Sequence, residues 1–390
     1  MLNNAAIISV GAGYNQLPLI QHLAELDIPV VGFDRNPDAP GKRLCTYFNA
    51  ISTWDSVKAI EWLSNLGVSF AGVGCFSYAN ALVTQQKIAN YFALPGALPD
   101  NTIRMNENKT KLRQSLRQAG LSSLKEWSLG ELTQEGADYI QPDKLYIVKP
   151  CVGGSSNDVR KLEGIAVIQL LNTGELDLTT IVQEFVYGPE FRLVAMIEDN
   201  CIPFISVMKK ENHPGTCVTG RLIPAPERED WGRSIIHSLS DRFSLKRTVL
   251  KIEVIEGLES DEIIEMDFGI PGDYFESHFA IFAYEFNYVE QYIGLITGKK
   301  VPKHYSAVRE KACFDYLYWI GEDAPAIRNQ AILENLQKHL GAVTQVVTRS
   351  DGSKAQKPVS NLDNVTAIMH QRLDIVHSDI CSLLVPVLRQ

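Results

Sequence analysis

The sequence predicts an α/β protein that begins with a Rossmann-like parallel sheet and continues into a longer region of mixed strands and helices. One observation is the succession AAIISVGAG, NQLPLIQHLAEL and IPVVGFD, whose pattern of strand, helix and strand favours parallel pairing. A second is that SVKAIEWLSNLG, SFAGVGC and a helical stretch at 79–92 continue this alternation. A third is a later series of strand-like segments, namely KLYIVKP, TIVQEFV, VLKIEVIEG and EIIEMDF.

Three domains are predicted within the 390 residues. The Pro- and Gly-rich segment LPGALPDN, at 94–101, marks the end of the first domain, which comprises 1–98. A helix with the sequence NENKTKLRQSLRQAGL then lies at the start of a second domain, 99–298. The remainder, 299–390, combines apparent helices with a strand at AVTQVVT and is interpreted as a small C-terminal α/β domain.

The composition is that of an ordinary globular protein, with 45% hydrophobic and 21% charged residues. The net charge of −9 argues against a broad nucleic-acid-binding surface, and no segment approaches the ~18–20 apolar residues of a membrane-spanning helix. The first residues lack the basic start of a signal peptide. The seven cysteines are scattered without a C-x-x-C pair, which indicates reduced thiols in a cytoplasmic protein rather than disulfides or a zinc site.

The first candidate ligand-binding motif is VGAGYNQ, in which Gly11 and Gly13 follow a predicted strand. Glycines here let backbone amides approach a dinucleotide phosphate, and Asp34 ends the next strand, where a ribose-binding acid would lie. Gln16 stands where a dinucleotide fingerprint has its third glycine. The motif therefore fits either a dinucleotide site or a tight turn that binds no cofactor.

A second motif, YIVKPCVGGSSNDV, places Lys149 at the end of a strand and follows it with a loop of small residues. That loop contains Gly153, Gly154, Ser155 and Ser156, whose amides and hydroxyls suit phosphate oxygens. Because the lysine precedes the glycines, the motif is neither a Walker loop nor a kinase loop. It fits a phosphate-binding loop or a hairpin connection with an exposed lysine.

A third segment, TIVQEFVYGPEF, leads from a strand into a turn. The Glu184 carboxylate and the backbone of Phe185 and Val186 could contact an adenine amino group, and Glu190 could bind ribose hydroxyls. The alternative interpretation is a surface turn with solvated acids.

A fourth motif consists of three acids on two predicted strands. Glu265 and Asp267 lie two apart in IIEMDFGIPGD, so both side chains point to the same side of the strand. The segment GLESD is a good hairpin turn and would pair this strand with the preceding one, which brings Glu253 near Glu265. Three converging carboxylates suit Mg²⁺ together with substrate phosphates, whereas the alternative is a solvated acidic face.

Taken in chain order, these motifs resemble those of the ATP-grasp superfamily. Its pattern comprises an early lysine, here Lys109, then a VKP strand with a Gly/Ser loop, two acids around a hinge, and E…E-x-N-x-R. The N-terminal segment also resembles the domain that precedes this fold in carboxylate–amine ligases and carbamoyl-phosphate-synthetase-like proteins. The resemblance covers roughly 5–298 and implies an ATP-grasp fold after the parallel sheet.

The resemblance implies that the chain binds ATP together with Mg²⁺. Lys109 and Lys149 would bind the phosphates, and the loop 153–156 would be a mobile cover over them. The magnesium ion would be held by three acids, namely Glu253, Glu265 and Asp267.

The resemblance also implies which residues bind the adenine base and the ribose of ATP. Glu184 would meet adenine, the backbone of Phe185 and Val186 would form the hinge, and Glu190 would hold the ribose.

The chain departs from the family pattern at the metal site. Asp267 stands where the family usually has Asn, Gly269 where Arg is common, and Asp158 where a further loop glycine is frequent. A working enzyme would need another cation in place of the missing guanidinium. Arg221 is the first expected replacement and Lys209 the second, because both lie between the hinge acids and the metal acids in sequence.

The activity that the resemblance implies is ATP-dependent ligation of a small-molecule carboxylate to an amine through an acyl phosphate. The alternatives are a non-catalytic Mg·ATP-binding protein, a dinucleotide-dependent oxidoreductase and, among ligases, carboxylation with bicarbonate. Further candidate contacts to substrate or phosphate are Arg192, Lys209, His213 and Arg221. No nucleic-acid or membrane partner is expected, and a homodimer is left open.

Overall fold

A computed structural model describes residues 5–77, 80–106, 109–135, 139–152, 156–258, 260–269, 274–303 and 308–389. Within these ranges the strands form three sheets, of four, eight and four strands. The α-helices there are α1 (Leu17–Glu25), α2 (Ser56–Ser64), α3 (Asn80–Tyr91), α4 (Asp100–Ile103), α5 (Lys109–Gln118), α6 (Leu129–Glu135), α7 (Gly164–Thr173), α8 (Glu229–Phe243), α9 (Ala280–Tyr284), α10 (Tyr288–Ile296), α11 (Asn329–Leu340), α12 (His377–Ser382) and α13 (Val385–Leu388).

The first sheet is parallel, as the sequence predicts. Its strands are β1 (Ala6–Val10), β2 (Val30–Phe33), β3 (Tyr47–Asn49) and β4 (Phe70–Gly74). They lie in the order β3-β2-β1-β4, and each neighbouring pair runs in the same direction. Every residue of β1 and β2 is buried, which explains why these segments are continuous apolar runs rather than alternating ones.

A smaller antiparallel sheet follows in the chain. Its strands are β5 (Glu126–Ser128), β6 (Leu145–Pro150), β7 (Arg160–Glu163) and β8 (Thr180–Glu184). They lie in the order β5-β8-β6-β7. One face packs on α6 and α7 through buried residues that include Tyr146, Val148 and Val182, so the opposite face is available to a ligand.

The central sheet has eight antiparallel strands. These are β9 (Glu190–Glu198), β10 (Cys201–Asn212), β11 (Thr219–Pro224), β12 (Arg247–Glu256), β13 (Asp261–Asp267), β14 (Cys313–Leu317), β15 (Thr344–Val346) and β16 (Thr366–His370). Their order is β13-β12-β9-β10-β11-β14-β16-β15. The strands of the predicted C-terminal domain therefore extend the sheet of the domain before it, and the boundaries 1–98, 99–298 and 299–390 stay predictions.

Side chains of the central sheet alternate between two apolar cores. Val194, Met208 and Leu222 belong to a core that also contains residues of α9 and α10. Their neighbours in sequence, such as Leu193 and Val207, belong to a second core on the α8 side of the sheet. Because neighbouring residues in a strand face opposite sides, a shift of one residue moves a side chain from one side of the sheet to the other.

Two further observations concern the chain as a whole. Among the described helices, none has both the length and the apolar character that crossing a membrane requires. All seven cysteines are free thiols, and three of them, Cys75, Cys313 and Cys381, are buried.

Candidate functional site

A cavity of about 250 Å³ is lined by residues from both antiparallel sheets. The small sheet contributes Ile147 and Lys149 from β6 and Gln183 from β8. The central sheet contributes acids and one base, namely Glu190, Lys210, Glu253 and Glu265. The lysines that line the cavity are Lys109, Lys149, Lys161 and Lys210. A cavity with several cations on its walls suits a ligand that carries several negative charges.

Among the predicted phosphate ligands that the structure describes, Lys149 is the most deeply buried, with 7% of its surface exposed. Its ammonium donates a hydrogen bond of 2.6 Å to the side-chain oxygen of Gln183. Burial lowers the pKa of Lys149 to about 8, an effect that the nearby Glu126 carboxylate opposes and Arg113 and Lys109 reinforce. A buried lysine with few anionic neighbours is arranged to meet the negative charge of a ligand.

The hinge segment reaches the cavity in part. Phe185 and Val186 line it, and the Lys161 ammonium lies 4.0 Å from the centre of the Phe185 ring. Glu184, in contrast, does not line the cavity; its carboxylate lies 3.7 Å from Lys125. The reason is strand alternation in β8, which turns Gln183 and Glu184 to opposite faces of the sheet. The structure thus corrects the expected position of the Glu184 side chain.

Glu190 and Glu253 belong to a buried ion cluster on the cavity wall. The ammonium of Lys210 lies 2.7 Å from Glu190 and 2.8 Å from Glu253, and the Arg192 guanidinium lies 3.0 Å from Glu253. Burial acts to raise the pKa of Glu253, but Lys210, Lys251 and Arg192 outweigh it and hold this pKa well below its usual value. Glu253 is therefore ionised, and its charge is shared by several cations.

The hairpin of β12 and β13 pairs as the sequence predicts, with Glu253 opposite Glu265 and Lys251 opposite Asp267. The Lys251 ammonium lies among three carboxylates, 3.2 Å from Glu265, 3.5 Å from Glu253 and 3.6 Å from Asp267. Burial raises the pKa of Asp267 to about 6; Lys251 opposes this shift, and Glu265 and Glu253 add to it.

These acids fit a magnesium ion in part. Both oxygens of Glu253 are engaged, one by Arg192 and the other by Lys210. Glu265 and Asp267 share Lys251 and lie side by side on β13. Mg²⁺ usually takes one or two carboxylates and completes its shell with water and substrate phosphates. The pair Glu265 and Asp267 meets that requirement, whereas Glu253 serves to fix the surrounding cations.

Arg221 and Lys209, the two cations expected to replace the missing guanidinium, lie outside the cavity. Lys209 is half exposed and contacts Glu211 at 3.0 Å, on the face of β10 opposite to Lys210. Arg221 is buried and bonds both oxygens of Asp315, at 2.9 and 3.1 Å. Neither side chain lines the cavity. Alternation along the strands explains both corrections, since Arg221 pairs with Glu211, one residue after Lys210.

The cations that lie beside the predicted metal-binding acids are Lys210 and Lys251, together with Arg192. Arg192 is one of the further candidate contacts from the sequence, and the structure places it in the ion cluster with Glu253. Lys251 could have been found from the sequence, because it precedes Glu253 by two residues in VLKIEVIEG and so shares its face. His213 does not line the cavity and belongs to a separate cluster described below.

Gly269 leaves no room for the arginine that is common at this point of the family pattern. A Cβ atom built on it would meet both methyl groups of Leu82, with one of them at 2.9 Å. Leu82 is itself buried in the core of the N-terminal sheet. A larger side chain at this position would thus require Leu82 of α3 to move.

The predicted phosphate loop lies partly outside the described residues. This applies to Gly153, Gly154 and Ser155, while Ser156 lines the cavity. Asp158 has a positive φ of 55°, a backbone conformation that glycine adopts without strain, in agreement with the family's preference for glycine there.

The glycine motif near the N-terminus is closed by the protein's own side chains. Gln16 bonds the backbone N–H and carbonyl of Phe76, both at 2.8 Å, and is buried. Asp34 accepts a hydrogen bond of 3.1 Å from the N–H of Ala12, a group that a dinucleotide phosphate would use. The geometry favours the interpretation of VGAGYNQ as a tight turn without a cofactor.

Comparison with solved structures identifies the fold. The chain is similar to an L-amino acid ligase from Bacillus licheniformis, with 17% identity, 97% of each chain covered and a TM-score of 0.73. It is also similar to an N5-carboxyaminoimidazole synthase from Aspergillus clavatus in complex with ADP and an aminoimidazole ribonucleotide, with 14% identity, 100% of both chains covered and a TM-score of 0.72. A phosphoribosylglycinamide synthetase from Anaerococcus prevotii gives 15% identity, 99% and 98% coverage and a TM-score of 0.68.

The structural neighbours are ATP-grasp enzymes matched over their full length, so the chain has the ATP-grasp fold that the order of its motifs predicts. The predicted fold class, a parallel sheet followed by antiparallel sheets of this fold, is confirmed. No protein-family model matches the sequence, and no curated protein sequence matches it either.

Proposed function

We propose that this protein is an ATP-dependent ligase that joins a small-molecule carboxylate to an amine. The observation that carries the proposal is the cavity that is lined by Lys109, Lys149 and Lys210 together with Glu253 and Glu265. Two solved structures of the same fold contain ADP or ATP, and another is the structure of an L-amino acid ligase. The free thiols fit a cytoplasmic location.

The apolar and the charged parts of the cavity would bind different parts of ATP. Ile147, Phe185 and Ile255 supply apolar surface for adenine, and the backbone at Val186 lies beside it. Glu190 would share its carboxylate between Lys210 and the ribose hydroxyls. Lys149 would neutralise phosphate charge from the small sheet.

The reaction would proceed in two displacements. A carboxylate oxygen of the substrate attacks the γ-phosphorus, the bond to the β-γ bridging oxygen breaks, and ADP leaves an acyl phosphate behind. The amine nitrogen then bonds to the acyl carbon as the carbon–oxygen bond to phosphate breaks, and the amine gives up a proton. Mg²⁺, held by Glu265 and Asp267, would neutralise charge on the phosphates when bound. The protein's own contribution is positioning and charge neutralisation by Lys109, Lys149 and Lys210.

A second candidate function is non-catalytic Mg·ATP binding. The absence of space for an arginine at Gly269 and the contact of Lys251 with the metal acids favour it. Cations other than Lys109 and Lys149 nevertheless line the cavity, namely Lys161 and Lys210. Lys161 and Lys210 would therefore add to the positive charge that phosphoryl transfer requires, although Lys210 also contacts Glu190 and Glu253.

A screen for ADP release separates the two functions. The purified chain is tested with ATP, Mg²⁺ and pairs of amino acids, keto acids or bicarbonate, with a no-substrate control and the Lys149→Ala variant as the matched negative control. Substrate-dependent ADP release that Lys149→Ala abolishes supports the ligase. A thermal shift with Mg·ATP but no turnover with any substrate supports the binding protein. A thermal shift with NAD or NADP and none with Mg·ATP contradicts both.

A further inference from the structure

A second cluster of functional side chains lies on the face of the central sheet opposite to Lys210. His213 follows the last residue of β10, and His377 and Cys381 lie on α12, four residues apart and therefore on one face of that helix. Their ligand atoms converge. His213 Nδ1 lies 3.2 Å from His377 Nε2, and Cys381 Sγ lies 3.6 Å from His377 Nε2 and 4.0 Å from His213 Nδ1. All three residues are buried. Among the described residues, no other His, Cys, Asp or Glu group brings three such atoms within 4.8 Å of one another.

Two of the three distances match those between the ligands of a tetrahedral zinc ion, and the third, between Cys381 and His213, is slightly longer. With Zn–N near 2.0–2.1 Å and Zn–S near 2.3 Å, a tetrahedral angle separates two nitrogens by about 3.3 Å and a nitrogen from a sulfur by about 3.6 Å. The observed separations are 3.2, 3.6 and 4.0 Å. In a hydrogen-bonded chain of three groups, only two of the three separations need to be short. When three groups bind the same metal ion, all three separations are short.

The imidazole of His377 is oriented by a carboxylate. Its Nδ1 lies 2.7 Å from Asp315 Oδ1, and because a carboxylate accepts, Nδ1 carries a proton and Nε2 is the nitrogen that faces the cluster and would bind a metal. Asp315 is fixed in turn by Arg221, at 2.9 Å, and by His370, at 2.7 Å. A carboxylate that fixes the tautomer of a ligating histidine is the usual support of a metal site.

The backbone is also adapted to this cluster. Gly220, next to Arg221 in β11, lies where the pairing with β10 shifts register. A Cβ atom at this glycine would lie 2.8 Å from both Cδ2 and Nε2 of His377 and 2.9 Å from the backbone nitrogen of His213. Only glycine lets the strand approach the two histidines this closely.

We infer that His213, His377 and Cys381 bind a zinc ion, with the fourth position open to water or another small ligand. The site lies outside the nucleotide cavity and is independent of the proposed ligase activity. It connects α12, close to the C-terminus, to the end of β10 in the central sheet. The site cannot be recognised from the spacing of residues in the sequence, because Cys381 is not part of a C-x-x-C pair and His213 lies 164 residues before His377.

Metal content of the purified full-length chain tests the inference. The protein is loaded with Zn²⁺, dialysed into zinc-free buffer and analysed for zinc per chain; a second sample is loaded with Co²⁺. The variants are Cys381→Ser, His213→Asn and, as the matched control, Cys75→Ser, which alters an equally buried cysteine in the N-terminal part. Thermal melting of each variant verifies that it is folded.

The expected result is one zinc per chain in the wild type and in Cys75→Ser, with loss of zinc in Cys381→Ser and His213→Asn. Co²⁺ in the wild type should give a thiolate-to-metal charge-transfer band, together with the strong visible bands of a four-coordinate ion. This spectrum needs no variant, so the test survives if a substitution prevents folding. Wild-type protein without zinc and without the thiolate band overturns the inference, and so does zinc that folded Cys381→Ser retains in full.

Discussion

The Lys251 ammonium reaches diagonally across the hairpin of β12 and β13 to Glu265, with 3.2 Å between the ammonium and a carboxylate oxygen. Asp267 and Glu253 also lie within 3.6 Å of the same ammonium. The acids that the family pattern assigns to magnesium are thus joined by a cation of the protein itself. A magnesium ion at Glu265 and Asp267 would compete with Lys251 for the same oxygens.

Removal of this ammonium should make the site more dependent on magnesium. Lys251→Gln leaves Glu253, Glu265 and Asp267 without their shared cation, and loss of one partner of a buried ion cluster costs about 3–5 kcal/mol in the free energy of unfolding. The variant should therefore melt at a lower temperature and gain more from added Mg²⁺ than the wild type does. Lys209→Gln, an exposed lysine on the other face of β10, is the control. Equal responses to Mg²⁺ in Lys251→Gln and the wild type would contradict magnesium binding here.

Lys149 should determine both the affinity for Mg·ATP and its pH dependence. Loss of its charge-assisted contact in Lys149→Ala is worth about 1.5–3 kcal/mol, or about 10- to 150-fold in affinity at pH 7. Because the pKa of Lys149 is about 8 in the free protein, its charge is lost progressively above that pH. Calorimetric titration should show wild-type affinity falling between pH 7 and 9, with a flatter profile for the variant. Parallel profiles would place the phosphates away from Lys149.

The same lysine should destabilise the nucleotide-free protein at neutral pH. Its pKa is about 8 when folded and 10.5 ordinarily, so between these values the unfolded chain binds more protons and stability rises with pH. The difference between the two pKa values corresponds to about 3 kcal/mol, and below pH 8 the free energy of unfolding is lower by this amount. The melting temperature of Lys149→Met, relative to the wild type, should therefore be highest at pH 7 and decline towards pH 10.5. A difference that is constant with pH would contradict the depressed pKa.

The fold can be predicted from the sequence because the signals that indicate it lie within short segments of the chain. Glycines after apolar strands indicated the parallel sheet, and the turn GLESD indicated the hairpin that pairs Glu253 with Glu265. Side-chain direction at the site was harder, since Lys209 and Lys210 are adjacent and only the register with β9 shows which one meets Glu190. The cluster at His213 depends on contacts between distant segments, which no spacing rule reveals.

Strand alternation in β8 gives a direct test of which hinge residue reaches the nucleotide. Gln183 lines the cavity and holds Lys149, whereas Glu184 contacts Lys125 on the other face. Gln183→Leu should weaken Mg·ATP binding by about 5- to 150-fold, because Lys149 loses a buried partner worth about 1–3 kcal/mol. Glu184→Gln should leave the affinity unchanged. The reverse ranking in calorimetric titrations would restore the adenine contact that the family resemblance assigns to Glu184.

The packing of Leu82 against Gly269 predicts that the family's arginine cannot simply be restored. The glycine has no positive φ, so the obstacle to a side chain there is Leu82 and not the backbone. Gly269→Ala should lower the free energy of unfolding by about 1–3 kcal/mol through overpacking, and Gly269→Arg should lower it further. In a Leu82→Ala background the alanine has room, so Gly269→Ala should cost less there than in the wild type. Chemical denaturation of the two single variants and the double variant measures this coupling. Strictly additive effects would show that Leu82 does not limit the position, and the missing guanidinium would then need another physical explanation.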